Sequence, residues 1–408
     1  MTAEPGPRPD IGAVREWILQ EGRLIPDTAE FLEELGQTLI RAGIPLIRAT
    51  LHTRTLHPQV LATIWLWRRG ERGSRLDREH GIEVTEAYLQ SPVRVIYEGA
   101  GAVRRRLDGA EEELDFPVLR EVKALGASDY VALPLRFTGG VTAVATFATD
   151  RAGGFTSAEL AALDRLMPYV ALVLEVQAKT RVLTTLLDIY LGHDAGRRVL
   201  AGTIRRGDAQ RIYAVLWYCD LRNSTELAQQ LDPTLLIETL NTFFAAMGGA
   251  VESAGGDILK FIGDAMLAIF PIEELDYCHV KAKRALAAGA AAQARLAAIN
   301  EARREAGERP LACGIALHVG DVYFGNVGAP TRLDFTVIGQ AVNCATRIED
   351  LCKQLGEPLL ISGDLARHID RPLRSRGAHL LRGIADPVEV FAPGGVLEPV
   401  GAGQSWTP

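Results

Sequence analysis

Cysteine is scarce in this chain and badly placed for cross-linking. The five residues (Cys219, Cys278, Cys313, Cys344, Cys352) are odd in number, never form a Cys-x-x-Cys pair, and none lies within residues 1–200. That argues against a disulfide scaffold and a zinc ribbon, and it fits a reducing cytoplasm. It also denies the N-terminal half a bilin thioether or a Cys-bound metal. A dominant charge is lacking as well. With 44 basic and 51 acidic residues the net charge is −7, which gives no global field to hold a nucleic-acid backbone or an anionic membrane. The opening MTAEPGPRPDIG has neither the basic n-region nor the apolar core of a signal peptide. No uninterrupted apolar run approaches the ~20 residues that span a bilayer; the Ala-rich stretch from Ala282 to Ile299 comes nearest, broken by Lys283, Arg284 and Arg295. A soluble, cytoplasmic protein is expected, with neither nucleic acid nor membrane as a partner. Hydrophobic residues at 48% and charged residues at 23% exclude a wholly disordered chain. At 408 residues the chain is too long for one ordinary domain.

Residues 1–26 read as a polar arm with a short amphipathic segment through Val14, Trp17 and Ile18. Residues 27–172 read as an antiparallel sheet with helices packed on it. A helical pattern (Phe31, Leu32, Leu35, Leu39, Ile40) precedes the strand-like runs PLIRATLHTR, VLATIWLWR, VRVIYEG, DYVALPLRF and VTAVATFAT. The last two flank Thr138-Gly139-Gly140, a hairpin signal. Thr156-Ser157-Ala158-Glu159 has capping-box spacing, and the chain then reads helical to Tyr190, with a kink expected at Pro168. Val173, Val176, Thr180, Leu183, Leu187 and Tyr190 step by three and four, a heptad-like seam suited to a dimer helix. Residues 173–210 form the expected linker, with Gly192 to Asp208 as a polar connection. Residues 394–408 form a loose Gly/Pro-rich tail.

From residue 211 to 393 the texture changes to a second α+β domain. Strand IYAVLWYCD leads to a helix from Asp232-Pro233. Strands DILKFI and AMLAIF flank Gly263-Asp264, and a helix covers Leu275 to Arg304. LACGIALHVG and VYFGNVG read as a hairpin through Gly320-Asp321. DFTVIG then runs into helix AVNCATRIEDLCKQL, with short strands at Leu359–Ile361, Leu380–Arg382 and Val388–Phe391.

Two aspartates, Asp220 and Asp264, sit just past strand ends. Acidic groups at adjacent strand ends can converge on hard cations, although each alone reads as a turn or cap residue. Downstream of Asp220, Leu221-Arg222-Asn223-Ser224-Thr225 form a small polar loop whose amides could cradle phosphates at a helix start. Asn343 and Arg347 are four apart, hence on one helix face; Asn343 is flanked by Val342, Cys344 and Ala345, an apolar setting.

Together these pieces resemble the class III nucleotidyl cyclase catalytic domain, through WYCDLRNST, GGDILKFIGDAMLAIF, DFTVIGQAVNCATRIE and LRGIADPVEVF. The resemblance implies a ferredoxin-like α+β domain. It implies two Mg²⁺ or Mn²⁺ ions per site on Asp220 and Asp264, with the Leu221 carbonyl as an extra ligand. Lys260 and Thr336 match the residues that read the purine, Asn343 and Arg347 the pair that positions ribose and stabilises the transition state, and Arg382 a basic residue on the terminal phosphates. In the family the metal aspartates and the Asn/Arg pair of one site come from opposite partners, so a head-to-tail homodimer is implied. A Lys ammonium only donates, which suits N1 of adenine and not N1–H of guanine, and the Thr336 hydroxyl can accept from the 6-amino group. ATP and adenylate cyclase activity are therefore expected. A guanylate cyclase and a catalytically inert nucleotide-binding scaffold are the alternatives. A diguanylate cyclase is disfavoured, because Ile258-Leu259 follow Gly255-Gly256-Asp257 where that family continues with Glu-Phe. Asn223 takes a place where the family often has Gly, and Trp217 one where it has a smaller or Phe-like residue.

Residues 27–172 resemble a GAF domain, chiefly through DYVALPLRFTGGVTAVATFATDRAGGFTSAELAALDRLMPYVALVLE. That implies a sensor for an unknown small-molecule effector. Trp65 and Trp67 share a strand face, with His52 and His57 nearby; core or dimer packing is expected of them rather than a ligand cage.

Overall fold

The computed structural model describes residues 9–109 and 114–395; the first eight residues of the expected arm and the tail beyond residue 395 lie outside them. The chain divides into two compact units at Leu186/Leu187.

The first unit opens with helices α1 (Ile11–Gln20) and α2 (Thr28–Arg41), then strands β1 (Arg48–Arg54), β2 (Val60–Arg68) and β3 (Ser74–Glu79). Short helices α3 (Glu86–Leu89) and α4 (Pro92–Tyr97) follow, then strand β4 (Val103–Arg106), helix α5 (Pro117–Ala124), and strands β5 (Asp129–Arg136) and β6 (Thr142–Thr149). The sheet is antiparallel, ordered β3-β2-β1-β6-β5-β4. Alternation sends Leu51, Trp65, Leu133 and Phe147 to one face, where Phe31, Leu35 and Leu163 cover them. Tyr130, Ala132 and Val144 go to the other, under Ile96, Leu119 and Val122. Trp65 and Trp67 are buried in the first of these cores, the packing role expected. His57 instead accepts the amides of Gln59 and Val60 in a loop. The hairpin at Gly139-Gly140 forms as the sequence predicts. The run VRVIYEG is not a strand. Ser91 accepts the Arg94 amide at 3.2 Å and Pro92 fills the first helical position, so the segment starts helix α4 instead.

Helix α6 (Ser157–Leu191) starts at a reciprocal cap: the Thr156 amide donates to Glu159 Oε2 at 2.8 Å, and the Glu159 amide to Thr156 Oγ1 at 3.2 Å. Of the seam residues, Val173 is buried, whereas Val176, Thr180, Leu183 and Tyr190 are exposed.

The second unit continues with α7 (His193–Leu200), β7 (Ala209–Leu221), α8 (Ser224–Gln230), α9 (Pro233–Ser253), β8 (Asp257–Ile262), β9 (Ala265–Ile272) and α10 (Cys278–Glu305). Then come β10 (Cys313–Ala329), β11 (Arg332–Ile338), α11 (Gln340–Leu355), β12 (Leu359–Ser362), α12 (Gly363–Ala366), β13 (Leu373–His379) and β14 (Val388–Pro393). The sheet order is β13-β14-β12-β10-β7-β9-β8, with β11 paired to β10. One face carries Val215, Trp217, Phe270 and Ile315 against Phe243, Met247 and Leu286 of α9 and α10. The other carries Leu216, Tyr218 and Leu267 against Ala345 of α11. Segregated helices on a mixed sheet make this an α+β unit.

Four expectations change here. The segment Gly192–Asp208 is not a plain connection, because α7 occupies its first half and buries Ala195. Gly320 and Asp321 do not turn. They pair with Ala214 and Tyr213, and a continuous partner strand keeps β10 extended until the hairpin between Ala329 and Arg332. Arg382 lies in a turn rather than in a strand, since β13 ends at His379 and Gly383 turns the chain at φ +82°. The helix among the described residues that is long and apolar enough to cross a membrane is α9, not Ala282–Ile299; its Phe243, Met247 and Val251 are buried in the core.

Candidate active site

Three neighbouring strands deliver the acids. β7 sends Val215, Trp217, Cys219 and Leu221 to the α9/α10 face, so alternation turns Asp220 to the α11 face. Asp220 stands opposite Ala265 of β9 and Gly314 of β10. Asp264, just before Ala265, occupies the two-residue Gly263-Asp264 loop joining β8 to β9. The Leu221 amide donates to the Asp264 carbonyl at 3.3 Å, which ties the two strand ends together.

Burial, and next the Asp264 carboxyl beside it, push Asp220 up to about 6, while Arg222 pulls the other way. Asp220 Oδ1 is buried without a hydrogen-bond partner. Two carboxyls held together in partial burial, one with an unpaired oxygen, suit a hard divalent cation with oxygen ligands. Asp220 and Asp264 are the side chains brought together where such a cation could be held. Among the described residues no set of three or more acid, His or Cys side chains is arranged around an ion, so any remaining ligands come from elsewhere.

Asn223 has φ 57° and is the non-glycine residue with positive φ among those described. The left-handed region explains why Gly is common at such a place and why Asn is accepted. Asn223 precedes α8, with Ser224 half-buried and Thr225 exposed on its first turn.

Lys260 on β8 is half-exposed and ion-paired with Asp334 of β11. Asp334 and Thr336 share one strand face while Phe335 and Val337 are buried, so the ammonium meets β11 two residues from Thr336. Asn343 is exposed on α11 because its apolar neighbours Cys344 and Ala345 face inward. Arg347, one turn on, bonds Asp350 at 3.1 Å. Arg382 is exposed in the β13–β14 connection, and β13 and Lys260-bearing β8 lie at opposite ends of the sheet order. A cleft of about 1020 Å³ lined by His318, Asp321, Asp364 and Arg371 contains none of these residues.

Sequence reasoning missed Asp334 and Glu349, and it read Arg222 only as part of the phosphate-cradling loop. Glu349 is buried, 3.3 Å from Arg222. Its signal was readable: it follows Ala345 by four and precedes Cys352 by three, a carboxylate on the apolar stripe of a helix.

Residues 209–363 match the family described as the adenylate and guanylate cyclase catalytic domain. The chain is 37% identical over 173 residues to an adenylate cyclase of Anabaena cylindrica, covering 41% of this chain and 33% of that protein. It thus spans about a third of that relative's length. The solved adenylyl cyclase CyaB from P. aeruginosa is 27% identical, covering 47% of this chain and 99% of that one, with a TM-score of 0.44. The guanylyl cyclase Cya2 is 28% identical, covering 47% and 96%, with a TM-score of 0.41.

Proposed function

We propose, from the premise that the second unit contains a class III cyclase catalytic domain, that this protein is an adenylate cyclase. It converts ATP to 3′,5′-cyclic AMP and pyrophosphate at a site shared by two copies. The carrying observation is the meeting of Asp220 and Asp264 at adjacent strand ends, with an unpaired carboxylate oxygen and a raised pKa.

When bound, a pair of Mg²⁺ or Mn²⁺ ions supplies charge for the triphosphate and acidifies the 3′-hydroxyl. The chain's own groups do the rest. Asp220, Asp264 and the Leu221 carbonyl hold the ions. Amides of the Asn223–Ser224–Thr225 turn face phosphate oxygens. Asn343 orients the ribose, and Arg347 offers a planar fork of donors to the charge that builds on the α-phosphoryl oxygens. Lys260 and Thr336 read adenine; Asp334 keeps the Lys260 ammonium beside β11. Arg382 would meet the terminal phosphates.

The shared site accounts for the separation of roles. Asn343 is exposed, and Arg347 would have to give up its exposed pair with Asp350 to serve a second copy. The exposed seam of α6 from Val176 to Tyr190 is what a helix pairing with a second copy presents. The first unit acts as a GAF-like regulatory domain for a small-molecule effector. The working boundaries are 27–172 for it, 173–210 for the linker and 211–393 for the catalytic domain. Five free, buried cysteines suit a reducing cytoplasm.

The test has two arms. Cyclic AMP and cyclic GMP formation with Mg²⁺ or Mn²⁺ gives the ATP-to-GTP ratio of kcat/KM. In Lys260→Glu that ratio should fall by roughly tenfold or more, since each unmatched buried donor or acceptor costs about 1–3 kcal/mol; an unchanged ratio means these residues do not read the purine. Mixing inactive Asp220→Ala and Arg347→Ala chains should restore activity at one heterodimer site. No restoration after confirmed subunit exchange refutes the shared site, and no cyclic nucleotide from the parent under any condition favours the inert scaffold.

A further inference from the structure

Behind the aspartates lies a charge cluster that the cyclase reading does not use. Arg222 follows Asp220 by two residues, and its amide is anchored on the Ala312 carbonyl at 2.8 Å. Its guanidinium is largely buried and lies 3.3 Å from Glu349 Oε1 of α11, whose side chain is only 4% exposed. Both charges sit over Gly314, the residue opposite Asp220 in β10. A Cβ on Gly314 would come within 2.1 Å of Glu349 Oε1 and 2.4 Å of Arg222 Nη2, so glycine here is the condition for the pair. Glu349 Oε1 has no hydrogen-bond partner, and the carboxyl feels both Asp220 and Asp264. Arg222 is felt in turn at Asp220. One guanidinium therefore lies against Glu349 and acts on Asp220, and Glu349 is not grouped with the two aspartates as a cation site among the described residues.

A guanidinium this close to Asp220 is a competitor for whatever cation the aspartates take. We propose that Glu349 is a positioning residue of the site: it holds Arg222 as its own partner and so keeps that guanidinium from closing on Asp220 in place of a divalent cation. The inference rests on the metal reading above. It follows that the end of β7, which carries Asp220 and is followed directly by Arg222, is tied to α11, which carries Asn343 and Arg347. In a shared-site dimer those two groups serve different sites, so the pair connects one half-site to the other.

Mn²⁺ binding to the full chain, read from the EPR signal of the free ion with 3′-deoxy-ATP present, tests this without turnover, because that nucleotide lacks the attacking hydroxyl. Glu349→Gln should weaken Mn²⁺ binding about tenfold, the usual lower range for losing an outer partner of a metal site. Gly314→Ala, which forces the pair apart, should weaken it similarly. The double variant Arg222→Gln/Glu349→Gln should recover most of the loss, because the competing guanidinium is gone; a purely structural ion pair predicts no such recovery. Glu349→Gln and Gly314→Ala chains that bind Mn²⁺ like the parent, or a double variant as weak as Glu349→Gln, overturn the proposal. Should Glu349→Gln fail to fold, Arg222→Gln alone decides: binding no weaker than the parent supports the proposal, and clearly weaker binding overturns it. Parent binding that Asp220→Asn and Asp264→Asn leave intact would instead overturn the metal reading itself.

Discussion

In the first unit Asp129 is wholly buried yet fully partnered: Arg104 reaches it at 2.6 Å, and the amides of Tyr130 and Phe155 donate at 3.0 and 2.9 Å. Glu159 is buried against Arg151 and the Thr156 amide, and Glu175 against Lys179 and Thr138. In the second unit the buried carboxylate oxygens of Asp188, Asp220 and Glu349 have no hydrogen-bond partner among the described residues. Both units bury acids, but among the described residues only the second leaves buried carboxylate oxygens without a hydrogen-bond partner. An unpaired buried acceptor costs about 1–3 kcal/mol, and two of these, on Asp220 and Glu349, lie close to the end of β7, where a ligand could satisfy them. The first unit's buried acids are held by partners within the fold, and Asp220 Oδ1 is not.

That contrast can be broken most directly by removing one acid from each unit. Asp264→Ala should abolish most of the proposed cyclase activity, because it removes a metal anchor, while thermal unfolding shifts by only a few degrees. Retained activity at unchanged stability would show that the aspartates are not the anchors. Asp129→Ala should do the reverse. It strands Arg104 and two amides, and should destabilise the first unit by roughly 3 kcal/mol, read by denaturant unfolding. A near-neutral result would put Asp129 on the wrong side of the comparison.

Acidity sharpens it further. Burial, and then the charges of Arg48 and Arg78, lower His52 to about 3. The unfolded chain binds a proton below about 6.5 and the folded one does not until about 3, so this stability is full above pH 6.5 and declines as pH falls. By pH 5 the loss is about 2 kcal/mol, and His52→Gln should flatten that slope; an unaltered slope removes His52 as its source. Asp220 has the opposite sign. Its folded pKa is raised, so without cation the second unit loses stability as pH climbs from about 4 to about 6. Asp220→Asn should raise the metal-free melting temperature at pH 7 by a few degrees, the smallest of these effects. A lower melting temperature would mean that the ionised carboxylate is a stabilising group.

What could be read from the sequence follows the range of the interaction. The hairpin at Gly139-Gly140 and the Thr156–Glu159 cap are local features, and each forms where its residues place it, whereas β7 runs on through Leu221 and holds Asp220 inside the strand instead of just past its end. The antiparallel N-terminal sheet and the α+β second unit were legible for the same reason, since alternation and helical spacing are short-range. Helix α4 was not, because Val-Arg-Val-Ile-Tyr has strand composition and only the Ser91-Pro92 start reverses it. The extended course of β10 through Gly320-Asp321 depends on β7, which lies far upstream. Lys260 meeting Asp334 and Arg222 meeting Glu349 are likewise set by strand order, which no local window contains.

The pairing of Asp220 with Gly314 also has a consequence in time. β7 is the first strand of its sheet to leave the ribosome, and β9 can join it soon after, bringing Asp264 into place. The partner on its other side is β10, which emerges only after the whole of α10. Closing so long a loop is slow relative to local structure, and synthesis at roughly 5–20 residues per second adds a delay of several seconds. For that interval the nascent second unit holds two adjoining carboxyls and Arg222, but neither the glycine floor nor Glu349. A growing chain therefore has its acid pair before it has the residue that keeps Arg222 away from it.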